Sequence, residues 1–138
     1  MPARDIYHDC VIQALEADGW KITHDPLTLR WGGKDVFADL GAEKVIAASK
    51  GARKIAVEAK SFLGPSLTHD LEQALGQYML YKNILERTEN DRLVYLAVEK
   101  VAFREVFEES LGKLVIEANS LRLMVFDSKT ETIEQWIP

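Results

Sequence analysis

The sequence of 138 residues holds one cysteine, no apolar run close to the length of a membrane span and no excess of basic charge. A lone thiol, Cys10, can neither close an internal disulfide nor build a zinc cluster from thiolates, and its helical setting among Ile6, Ala14 and Ala17 reads as packing. Nothing reaches the ~20 apolar residues that cross a bilayer as a helix. Met1-Pro2-Ala3-Arg4-Asp5 runs straight into a helix pattern with no signal-peptide core, so the expectation is a cytoplasmic protein without a membrane partner. The formal charge of −5 excludes a protein that coats nucleic acid, because neutralising phosphates takes Lys and Arg. Any DNA contact must be local, and aromatic and basic residues do not interleave as on a single-strand stacking platform. Also missing are Gly-x-Gly-x-x-Gly, a Gly-Lys-Ser phosphate loop, His-Glu-x-x-His and Gly-x-Ser-x-Gly, which removes the commonest nucleotide, zinc-protease and serine-hydrolase readings. Repeats, low-complexity tracts and linker-like stretches are absent as well.

What is present is ordinary for a folded chain: 47% apolar and 28% charged residues, enough for one domain over 1–138 and too little for two. Ile6, Val11, Ile12 and Leu15 recur at helical spacing over 4–18, and Gly19 is placed to end that helix. From Trp20 to Leu40 the period falls to two. Gly32-Gly33 between alternating runs signals a hairpin, and His24-Asp25-Pro26 predicts a bulge or edge. Residues 43–49 read as a strand that Lys50-Gly51 turns back into the next. Ser66 caps a long helix to about Thr88, and 93–98 reads as a buried strand reached by a crossover. Short helices are predicted over 102–109 and 113–119, separated near Gly112, and a last hairpin over 121–126 and 131–136.

The stretch Lys54-Ile55-Ala56-Val57-Glu58-Ala59-Lys60 alternates, so as a strand it projects Glu58 and Lys60 from one face and Ile55, Val57 and Ala59 from the other. Any half-buried strand has one polar face, and that reading stays open for the segment taken alone. Asp39, in Val36-Phe37-Ala38-Asp39-Leu40, can lie beside Glu58 across a sheet, although Asp39 before Leu40-Gly41 also fits a turn. On the long helix Gln77 and Tyr81 fall ~40° apart on the flank of the stripe formed by Leu71, Ala74, Leu75 and Tyr78. His8 shares a side with Val11 and Ile12, either as a packed or capping histidine or at the sheet's edge. His69 and Asp70 sit in the first helical turn, where an acid complements the dipole. The densest basic cluster, Lys50, Arg53, Lys54 and Lys60, flanks the Glu58 strand.

An acid, then Glu-x-Lys on a strand, then Gln-x-x-x-Tyr on the following helix resembles the PD-(D/E)XK nuclease superfamily, RecB-type branch. The wording is closer still to one family. His8, Asp18-Gly19-Trp20, Asp25-Pro26-Leu27, Ala38-Asp39-Leu40-Gly41-Ala42-Glu43 and Ile55-Ala56-Val57-Glu58-Ala59-Lys60-Ser61-Phe62 resemble the XisH family of fdxN element excision controlling factors over nearly the whole chain. The resemblance implies an α/β (α+β), restriction-endonuclease-like fold, with a central mixed sheet flanked by helices, and a role in excising a DNA element. Its site would be Asp39 and Glu58 with the Ala59 carbonyl around Mg²⁺ (or Mn²⁺), a hard cation that prefers oxygen ligands. Lys60 would orient or deprotonate a water, with burial and the adjacent acids pulling its pKa in opposite directions. Gln77 and Tyr81 would position water or phosphate, and His8 joins them because a first-helix histidine recurs in RecB-type relatives. Ala38 stands where the superfamily usually has proline. Expected partners are DNA, a companion controlling factor of the XisI type and a site-specific recombinase, with a homo-oligomer left open. Fold and motif also persist in non-cleaving proteins, so an accessory factor that binds DNA, the recombinase or the companion is the competing expectation.

Overall fold

A computed structural model describes residues 5–45 and 51–138. Six strands form a mixed sheet in the order β1 (Lys21–His24), β4 (Leu40–Val45), β5 (Ala52–Ala59), β6 (Arg92–Glu99), β7 (Leu123–Asp127) and β8 (Thr132–Ile137). The β5, β6 and β7 strands are mutually parallel and the other pairs antiparallel. A two-stranded hairpin, β2 (Leu27–Trp31) with β3 (Lys34–Ala38), stands outside this sheet. Helix α1 (His8–Ala17) covers one face of the sheet and α2 (Leu67–Thr88) the other. The predicted mixed sheet flanked by helices is therefore what forms. Among the described residues no helix is long and apolar enough to cross a membrane.

Alternation along β5 decides which side chain meets which helix. Ile55, Val57 and Ala59 pack with Val11, Leu15 and Trp20 on the α1 side, while Ala56 packs with Tyr78, Leu85 and Leu96 on the α2 side. Glu58 shares the face of Ala56 and so points toward α2. The Ser66 hydroxyl accepts the His69 N–H at 3.1 Å and starts α2 as expected. At the hairpin tip Gly32 and Gly33 take φ of +59° and +75°, the two left-handed residues that a two-residue turn between twisted strands requires.

Several boundaries differ from the sequence reading. Helix α1 begins at His8, because the Asp5 carboxylate caps the Tyr7 N–H at 2.9 Å and holds the preceding residues in a turn. Leu40 opens β4 instead of closing the hairpin, and the strand expected over 43–49 is Leu40–Val45. The rest of that segment, with Lys50, lies outside the described residues. Between β6 and β7 the chain forms α3 (Lys100–Ala102), a π-helical turn (Phe103–Phe107) and α4 (Ser110–Asn119), so Gly112 does not separate two helices but lies inside the last. Its role is close approach: a Cβ there would stand 2.5 Å from Phe107 Cα and closer still to the Val106 carbonyl. Gly112→Ala is expected to cost ~2–3 kcal/mol by forcing α4 off the π turn. Gly76→Ala on α2, where a Cβ meets nothing within 4 Å, should be neutral to stabilising. Urea midpoints of the two variants check both signs.

Candidate functional site

The antiparallel register of β4 on β5, Leu40 opposite Val57 and Gly41 opposite Ala56, places Asp39 opposite Glu58 one step further on. At that step the chain bends out of the hairpin and into the main sheet, so Asp39 sits at the bend and on the wall of the cleft at once. Two backbone hydrogen bonds lock the acids together. The Ala59 N–H donates to Asp39 Oδ2 at 2.8 Å, and the Asp39 N–H donates to Glu58 Oε1 at 3.2 Å. Both carboxyls are buried, at 8% and 7% exposure.

Burial of like charges dominates the electrostatics. Desolvation raises the Asp39 pKa even though the Ala59 N–H opposes it. Glu58 is pushed up to about 8, first by burial and then by the neighbouring Asp39 charge. Lys60, just past the end of β5, turns its amine to Gln73 Oε1 at 2.7 Å and stands 3.9 Å from Asp70 Oδ1. Tyr81 donates its hydroxyl to the Phe37 carbonyl at 2.8 Å, and burial followed by the charges of Glu58 and Asp39 pushes its phenol well above the ordinary value.

Asp39, Glu58, Ala59, Lys60, Gln77 and Tyr81 all line one cleft of about 270 Å³. His8 does not. It is buried, with Nε2 2.9 Å from Asp25 Oδ1 and, among the described residues, no hydrogen-bond partner at Nδ1. Three further lining residues, Phe37, Gln73 and Asp5, were not picked out as site residues from the sequence. Gln73 is one helical turn before Gln77, so extending the Gln77–Tyr81 row backwards would have found it. Asp5 carried no signal. Its second oxygen accepts the Ser61 N–H at 2.9 Å and ties the N-terminal turn to the segment after Lys60. Asp70, read as a helix-dipole acid, also accepts the Gly64 N–H at 3.0 Å and faces Lys60.

Among the described residues no group of three or more His, Cys, Asp or Glu side chains is placed to hold a metal. The Asp39–Glu58 pair is nevertheless a donor set that suits one hard dication: two adjacent buried oxygen ligands whose mutual repulsion a double positive charge relieves. Backbone carbonyl and water would have to complete the shell. Tyr81→Phe removes the partner of the Phe37 carbonyl and is expected to cost ~1–2 kcal/mol, read as a lowered urea midpoint at unchanged slope.

Comparison with known proteins follows the same outline. A family model described as XisH protein matches residues 1–134. An XisH family protein from Nostoc punctiforme PCC 73102 superposes with a TM-score of 0.87 at 38% identity, covering 97% of this chain and 100% of that one. A fdxN element excision controlling factor protein from Anabaena variabilis superposes equally well, TM-score 0.87 at 38% identity, covering 98% of this chain and 100% of that one. No curated protein matches. With the match spanning nearly its whole length, the chain belongs to the XisH family.

Proposed function

We propose that this chain is an excision controlling factor, as the Anabaena variabilis relative is described, and that its Asp39–Glu58–Lys60 cleft is a metal-dependent phosphodiesterase site of the PD-(D/E)XK type acting on DNA. The observation that carries the reading is the enforced pairing of two buried carboxylates beside a lysine, with Gln77 and Tyr81 on the same cleft. Burying two carboxyls side by side makes ionising both costly without a cation, and such perturbed pairs cluster where folds bind something. Asp39 and Glu58, with the Ala59 carbonyl, are the residues that would hold Mg²⁺ or Mn²⁺, which when bound supplies charge neutralisation and an acidified water. Lys60 would leave Gln73 to donate to the scissile phosphate or the attacking water. Gln77, on the cleft wall, would orient that water, and Tyr81 would keep the β3 end and α2 in register through Phe37.

The test is incubation of plasmid, branched and single-stranded DNA with the purified protein and Mg²⁺ or Mn²⁺, alone and with a companion controlling factor of the XisI type. Cleavage that needs the metal and disappears in Lys60→Ala is the expected result. A folded protein that cuts nothing in any of these mixtures would instead be an accessory factor acting through DNA, the recombinase or the companion. That second reading is favoured by one observation, the Lys60 amine resting on Gln73 and Asp70 and not on the carboxylate pair.

A further inference from the structure

Trp31 is the uncovered end of an otherwise buried row. Leu27, Leu29 and Trp31 share one face of β2. The first two are buried under α2, whereas Trp31 remains 53% exposed. Beyond it the helix surface carries Leu80, itself 46% exposed, and the buried Ile84. Together with Asn83 and Arg87 these residues line an open cleft of about 350 Å³. A large aromatic and a leucine therefore face water across this space. Its polar groups are equally specific. Asn83 and Arg87 stand on the helix wall, and Lys34, cross-strand partner of Trp31 in the hairpin register, shares Trp31's face. Among the described residues no carboxylate lines the cleft and neither Lys34 nor Arg87 forms an ion pair, although Arg87 Nη1 donates to the Asn83 carbonyl at 3.3 Å. Arg30 lies on the other face, neutralised by Asp35 at 2.7 Å. The cleft thus carries one aromatic and one lining cation with Lys34 beside it, and Arg87 also lines a neighbouring cleft with Glu86, Glu89 and Asp91.

Both elements that build the cleft lead to the carboxylate pair. Along β2 and β3 it is four residues, ~14 Å, from the Trp31–Lys34 pair to the Leu27–Ala38 pair next to Asp39. Along α2 it is seven residues, ~10 Å, from Gln77 to Ile84. At a stacked spacing of ~3.4 Å per nucleotide, the cleft stands about three or four nucleotides from the site.

We propose that this cleft takes an unpaired nucleobase of the bound DNA, stacked on Trp31 against Leu80 and Ile84, with Asn83 meeting the polar edge of the base and Lys34 and Arg87 flanking its phosphates. This rests on the DNA reading above and narrows it to DNA carrying unpaired nucleotides near the scissile bond. An apolar side chain from a protein partner would match the walls but leave both cations and the amide without complements. A base supplies a flat face, a hydrogen-bonding edge and a negative backbone together.

The test compares binding of a fluorescent duplex with a short single-stranded tail, the same duplex with an abasic tail, and the blunt duplex, to wild type, Trp31→Ala and Trp31→Phe, in Mg²⁺ and without it. The tail is expected to tighten wild-type binding ~10-fold, the order that base–aromatic stacking supplies. That gain should vanish with the abasic tail and in Trp31→Ala and largely survive in Trp31→Phe, with all three proteins melting alike because Trp31 lies at an exposed tip. If wild type binds DNA and Trp31→Ala keeps the tail preference, the cleft proposal is overturned while the DNA reading stands, and the surface belongs to a protein partner. If wild type binds none of the three DNAs, both fall.

Discussion

Glu58→Gln is expected to make the metal-free protein more stable at neutral pH. Folded Glu58 keeps its proton to about pH 8, against an ordinary value of 4.5, because burial and the Asp39 charge both oppose ionisation. The folded state therefore binds more protons than the unfolded chain in the window between those values. Its advantage is fully present below about pH 4.5 and lost as pH rises through about 8. At pH 7 the forfeited stability is on the order of 3 kcal/mol. Glutamine removes the titration while its carbonyl oxygen can still accept the Asp39 N–H. The variant should melt ~5–10 °C higher near pH 7 and show a flatter dependence between about pH 5 and 9. With millimolar Mn²⁺ the order should narrow or reverse, because a ligand that binds only the folded state raises its stability by mass action and the glutamine site has lost a charged ligand. A variant that melts lower than wild type near pH 7 would mean that the ionised carboxylate is needed for the fold, and the frustrated-pair account would be wrong.

The second large effect is kinetic. Lys60→Ala is expected to lower metal-dependent DNA cleavage by ~10²–10⁴ while leaving the fold and the Mn²⁺ response in place. Nothing in the core depends on this side chain: its amine meets Gln73 and Asp70 at the cleft, and Asp70 keeps its bond from the Gly64 N–H. The loss should thus appear in turnover without a matching drop in melting temperature. Lys60→Arg should not rescue it, because the planar guanidinium fork is larger than the ammonium that fits between Gln73 and Asp70. Loss of cleavage accompanied by loss of Mn²⁺ binding would place Lys60 in holding the site together instead of in its chemistry.

Periodicity carried most of the architecture. The two-residue alternation of 54–60 gave both the faces of β5 and the side on which Glu58 emerges, and Ser66 with the stripe through Leu71, Ala74 and Tyr78 gave α2, because these are local rules that burial reinforces. That Asp39, Glu58, Lys60, Gln77 and Tyr81 share one cleft was what the superfamily resemblance implied, a resemblance their order carries. What escaped was set by contacts between distant segments. Asp39 closes a hairpin that leaves the main sheet, a departure that alternation through Leu40 conceals. Gly112 resembles a helix breaker but serves close packing against Val106 and Phe107, which depends on a neighbouring turn and not on its own sequence context. Asp5 reaches the site only because its carboxylate bridges to Ser61, 56 residues away. His8 shows the opposite case: a site candidate by analogy that does not line the cleft, its ring held by Asp25.

The central claim is that Asp39 and Glu58 form a dication site. Calorimetric titration of the folded protein with Mn²⁺, alone and with a bound non-cleavable DNA, tests it most directly, repeated on Asp39→Asn and Glu58→Gln. The account predicts saturable binding at one site per chain, lost in both variants, with proton release that grows as the pH falls below about 8. Absence of saturable binding in wild type under both conditions, or binding that survives in both variants, would contradict it.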